Sequence, residues 1–148
     1  MIAITLITLL IVAGILLGVR MIQRGAAKAA ASGQLDDSAT TADRPEARPA
    51  IEQWAGAHGY QRVEPAADLI RYQKHVGATS GNPTYLDVRH GDGHLTLASY
   101  MGVIHPFTRQ PGGQMPLSTP GLVLAFPRKT ARREHNVLRA ALGLPAID

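Results

Sequence analysis

Six histidines and no cysteine bound the chemistry open to this chain of 148 residues. Without thiols, disulfides, thiolate zinc sites, iron–sulfur clusters and cysteine nucleophiles are all excluded. The histidines are His58, His75, His90, His94, His105 and His135. His90 and His94 flank Gly91-Asp92-Gly93, a spacing that makes the two rings cross-strand neighbours if the glycines turn the chain. With Asp92 at the tip, two imidazoles and a carboxylate form a set that zinc or copper accepts. One functional expectation is therefore a metal-dependent enzyme using His90, His94 and Asp92. The plainer alternative is a pair of exposed histidines beside a turn.

Other chemistry is poorly represented. There is no Gly-x-Ser-x-Gly elbow, and Ser80, Ser99 and Ser118 stand in contexts that suggest no nucleophile. Asp87 and Asp92 offer acid–base groups of a kind usually found on surfaces and turns. Gly91-Asp92-Gly93 is too short for a dinucleotide fingerprint, and Pro111-Gly112-Gly113 lacks the Lys-Ser/Thr of a phosphate loop. The sequence thus names no catalytic residue and implies no cofactor. Charge is more informative. Arg128, Lys129, Arg132 and Arg133 open the last predicted helix, where cations oppose the positive end of the helix dipole. That conflict hints at a use against anionic lipid headgroups or a protein partner, while the plainer reading is a solvated helix end with its charges paired to nearby acids. Nucleic acid is disfavoured, since no aromatic interleaving or helix-turn-helix pattern accompanies the cluster.

The elements that must position these residues fall into three zones. The first 19 residues carry no charged side chain, and a helix of that length spans roughly 28 Å. Residues 1–24 are therefore expected to form an uncleaved transmembrane anchor rather than a signal peptide. Arg20, Arg24 and Lys28 crowd its C-terminal flank, which by the positive-inside rule places the rest of the chain in the cytoplasm. Residues 25–49 are small, polar and interrupted by Pro45 and Pro49, the signature of a flexible tether. The remaining residues, 50–148, carry the patterns of a small folded domain.

Within that domain Ile51, Trp54, Ala55 and His58 follow helical spacing, with Pro49 suited to the first turn and Gly59 to the stop. A short extended piece over 60–63 and a strand over 69–76 come next. The runs 84–90 and 94–101 alternate and flank a glycine-containing loop, which predicts a hairpin. A long irregular connection over 106–120 leads to Leu122–Phe126, an apolar run expected to be a central strand ending at Pro127. A helix over 130–142 closes the domain, its inner stripe traced by Ala131, Glu134, Leu138, Ala141 and Leu142, with a Schellman stop at Gly143-Leu144-Pro145. The expected class is α+β: a transmembrane helix, a tether, and a small antiparallel sheet flanked by a short helix and a C-terminal helix. Such an outline is shared by many unrelated folds, small lipid- or peptide-binding barrels among them. The functional expectation is a single-pass membrane protein, alone or as one subunit of a membrane complex, whose small cytoplasmic domain acts as an interaction or accessory module. Arg-over-Lys usage and the abundance of Ala and Gly suit a GC-rich bacterial source.

Overall fold

The protein is described by a computed structural model covering residues 36–63, 68–75, 81–104, 110–121 and 124–148, with residues 7, 10–14, 17 and 20. In chain order these form β1 (Asp37–Ala42), α1 (Ala47–His58), β2 (Gln61–Val63), β3 (Leu69–His75), β4 (Pro83–Gly91), β5 (His94–Ile104), β6 (Pro111–Pro116) and α2 (Ala125–Ala141). The class is α+β, one antiparallel sheet with two helices.

The sheet is organised by its central hairpin. Asp92 and Gly93 both have positive φ, 51° and 74°, the pair of left-handed residues whose twist matches that of the strands they join. The turn is thus two residues long, one fewer than the glycine spacing predicts, and Gly91 pairs with His94. From β4 the sheet grows through β3 to β2. On the free side of β5, β1 pairs with its first half and β6 with its second. Alternation then sorts the side chains. Leu86 and Val88 of β4, Leu95 and Leu97 of β5 and Tyr72 of β3 share one face. There they pack against Ile51, Trp54 and Ala55 of α1 and Leu138 of α2 in the main core. Met101, Leu117, Ala131 and Ile147 close a smaller core beside it. Both helices end on left-handed glycines, Gly59 and Gly143, with Tyr60 N–H returned to Ala55 O (2.8 Å) and Leu144 N–H to Arg139 O (2.8 Å).

Four expectations are corrected. Part of the expected tether is sheet: residues 37–42 form β1, and α1 begins at Ala47. A half-solvated edge strand needs no apolar period, only backbone pairing and an anchored end. Asp37 provides the anchor by accepting from Ser118 N–H (3.0 Å) and Ser118 Oγ (2.5 Å). The expected irregular connection over 106–120 contains β6. The expected strand over 122–126 is not one: Leu124 adopts a left-handed conformation (φ 54°), and Ala125 and Phe126 already belong to α2. Pro127 stands in the first turn of that helix, where the missing N–H costs nothing. Residues 122 and 123 lie outside the described residues.

The fourth correction concerns the anchor. Among the described residues no helix is long and apolar enough to cross a membrane, so the transmembrane, single-pass reading of 1–24 is set aside. A span needs about 20 consecutive apolar residues in one helix. Residues 10–14 are helical, and much of the remaining stretch, with Arg24 and Lys28, lies outside the described residues. The cytoplasmic orientation drawn from the span loses its premise.

Candidate functional site

The hairpin register separates the expected metal ligands. His90 pairs with Leu95 and His94 with Gly91, so the two imidazoles leave opposite faces of the sheet. His94 Nδ1 lies 2.9 Å from the carbonyl oxygen of Asp92, closing the turn. His90, on the helix side, accepts from Arg48 Nη2 at 3.2 Å and has Asp43 Oδ2 at 3.7 Å. Arg48 in turn donates to Asp43 (3.0 Å) and holds that carboxyl below the usual carboxylate range. Among the described residues no group of three or more histidines and carboxylates could hold a metal ion. His90, His94 and Asp92 are therefore not assembled into a centre.

The basic cluster is divided as well. Arg128 is buried and donates from Nη2 to Gly121 O (2.6 Å), and burial lowers its pKa. Arg132 donates to the carbonyl of Asp148. Lys129 and Arg133 alone of the four stand exposed, on the side of α2 that also presents Phe126 and Val137. Two of the four cations thus serve the fold, and no continuous basic patch results.

A polar chain that the sequence reading missed crosses the core. His135, 1% exposed, approaches Tyr60 Oη through Nε2 (2.9 Å) and Ser99 Oγ through Nδ1 (2.8 Å). Thr84 Oγ1 donates to Lys74 O (3.1 Å) and lies 3.2 Å from Tyr60 Oη. Each hydroxyl owns one proton, so the bonds run in one direction. His135 Nε2–H donates to Tyr60, Tyr60 donates to Thr84, and Ser99 donates to His135 Nδ1. Burial, helped by Arg139, His58 and Lys74, lowers the pKa of His135 to about 3 and keeps it neutral. Ser99 and His135 resemble a catalytic pair, but both are sealed in the core, where no substrate reaches Oγ. The chain ties α2 to the sheet.

The opposite face of the sheet carries a second polar group, with Asp87 and Tyr100 buried and Arg71 and Tyr85 partly exposed. No described helix packs there. Arg71 on β3 donates Nε and Nη2 to the two carboxylate oxygens of Asp87 on β4, each at 2.7 Å. Tyr100 Oη on β5 donates to the same carboxylate at 3.2 Å. Asp87 is only 4% exposed and its pair with Arg71 pushes the guanidinium pKa further up, while burial raises that of Tyr100. Tyr85, paired with Tyr100 across the hairpin, stacks on it with centroids 5.1 Å apart and planes 27° from parallel. The Arg71 guanidinium lies 5.4 Å from the Tyr85 ring centroid. The Tyr85 ring also leans across Gly102, where a Cβ would come within 2.8 Å of its Cε2. Beside these rings opens a groove of about 310 Å³, walled by Pro83, Ile104, Pro111 and Gln114.

The signal for this group lay in the alternation already used for the core. Odd positions of β4 and even positions of β5 face away from the helices, which sets Tyr85, Asp87 and Tyr100 side by side. Comparison with protein-family models, with curated proteins and with solved structures gives no match.

Proposed function

We propose that the chain is an interaction or accessory module that engages its partner through the face of the sheet opposite α1 and α2. The observation that carries this reading is the Arg71–Asp87–Tyr100 group with its adjoining groove. A charged pair with one partner buried recovers that partner's desolvation cost only through good geometry, and an apolar pair of similar volume is often as stable. Sheet stability therefore gives little reason for a bidentate ion pair under two tyrosines. A shaped surface with fixed hydrogen-bonding groups beside a groove is what a binding site requires.

Photo-crosslinking in cells tests the reading. A benzophenone amino acid replaces Gln73 or Gln114 beside the cluster, or Gln53 on α1 as a control. Discrete adducts from positions 73 and 114, lost when Tyr85→Ala is added, are the expected result. Adducts from position 53 alone, or from none of the three, would refute it.

A further inference from the structure

We infer that the groove takes an uncharged, proline-rich peptide in the extended polyproline conformation, an inference that rests on the interaction-module reading above. Charge excludes the main rivals. Arg71 is the single charged side chain among the described lining residues, and Asp87 cancels it through two short bonds. A phosphate chain or an acidic peptide would have to pull that pair apart before gaining a cation. The described lining is neutral and suits a neutral occupant.

Hydrogen-bonding capacity narrows the class further. The Asp87 carboxylate is occupied by Arg71 and Tyr100. Left without a partner among the described residues are the Tyr85 hydroxyl, the Gln114 side-chain amide and Arg71 Nη1. These groups are rich in donors, and the occupant must supply acceptors. A polyproline strand exposes all its carbonyls and forms no internal hydrogen bonds, while each proline brings no N–H that would need an acceptor. The apolar relief agrees. Tyr85, stacked on the buried Tyr100, forms a ridge lowered onto the strand because Gly102 has no side chain, with Pro83 and Pro111 among the walls. Aromatic-lined grooves recognise proline-rich segments through such ridges, and the preformed ligand loses little entropy on docking.

The test uses the purified full-length chain and fluorescein-labelled decaproline, read by fluorescence anisotropy, with a glycine–serine peptide and an oligothymidylate as comparison probes. Decaproline is expected to bind saturably and to keep its affinity as salt is raised. Tyr85→Ala should weaken it about tenfold or more, as loss of an anchoring aromatic does, and Tyr85→Phe about threefold through the lost hydroxyl. Gly102→Ala, whose new Cβ would displace the Tyr85 ring, should weaken binding by a factor near that of Tyr85→Ala. No saturable binding, binding no tighter than the glycine–serine peptide, or equal binding by Tyr85→Ala would overturn the inference. So would salt-sensitive binding of the oligothymidylate without decaproline. If decaproline fails while adducts persist at positions 73 and 114, the peptide class falls and the module stands. If both fail, both fall.

Discussion

Replacing His135 by Gln should make the stability difference from wild type shrink as the solution is acidified. In the folded chain His135 has its pKa lowered to about 3 by burial, against an ordinary value of 6.5. Between those values the unfolded chain binds a proton that the folded chain refuses. Stability therefore rises with pH through this window and falls on acidification, fully retained only above the unfolded value. Each pH unit is worth about 1.4 kcal/mol, so by about pH 4.5 wild type has lost about 2.7 kcal/mol through this one group. Glutamine cannot titrate and loses nothing there. At about pH 7.5 the variant should be less stable by about 1–3 kcal/mol, because an amide does not place its donor and acceptor where the two ring nitrogens meet Tyr60 and Ser99, and it fills less of the buried site. The deficit should close, and then reverse or vanish, by about pH 4.5. Urea titrations at a series of pH values supply the measurement. They can be followed through the emission of Trp54, the sole tryptophan, which lies edge-on to the His135 ring at 5.2 Å. Arg139, His58, Lys74 and every carboxylate are common to both proteins and cancel in the difference. A difference independent of pH over this range would show that folded His135 takes up its proton normally, and the sealed polar chain would be refuted.

Other expectations follow from single contacts. Asp87→Asn removes the charge that meets Arg71 and Tyr100 and should cost about 2–4 kcal/mol in urea unfolding. Replacing Arg71 and Asp87 together by Leu should cost far less, or nothing, while abolishing the position-73 crosslink. Asn136→Ala severs the two bonds that hold Ile147, from Nδ2 to its carbonyl (3.1 Å) and from its N–H to Oδ1 (2.7 Å). Amide exchange over 144–148 should accelerate, with about 1–2 kcal/mol lost overall. Gly93→Val forces a branched residue to φ near 74° in the hairpin turn and should lower the unfolding midpoint by about 1–2 kcal/mol equivalent.

The parts legible in the sequence were those fixed by nearest neighbours. Asp92-Gly93 announces its hairpin because left-handed backbone is a local demand, and α1 and its Gly59 stop follow from spacing alone. β1 escaped notice because Asp37–Ala42 is held by a strand more than fifty residues away, through backbone bonds that leave no side-chain period. The run 122–126 was misread for a different reason. A proline after an apolar stretch ends a strand as naturally as it opens a helix, and only the left-handed Leu124 decides between them. His135 was within reach. It follows Ala131 by four residues and precedes Leu138 by three, on the buried stripe where Glu134 was placed instead.

The candidate face was illegible for a reason of register. Arg71, Asp87 and Tyr100 lie on three strands, and a slip of one residue in either pairing would send one of them to the helix side. What fixes the pairing is the opposite face, where Tyr72, Leu86 and Leu97 must all be buried. The apolar core thus sets the positions of the polar group without touching it. This separates the two duties of the sheet: the helix side supplies the stability, and the other side is free to hold an arrangement that stability does not require. The double Leu replacement exploits that separation, since it alters the working face while leaving the core that sets its register untouched. A chain that lost its fold along with its crosslink in that variant would show that the ion pair is part of the architecture rather than of a site.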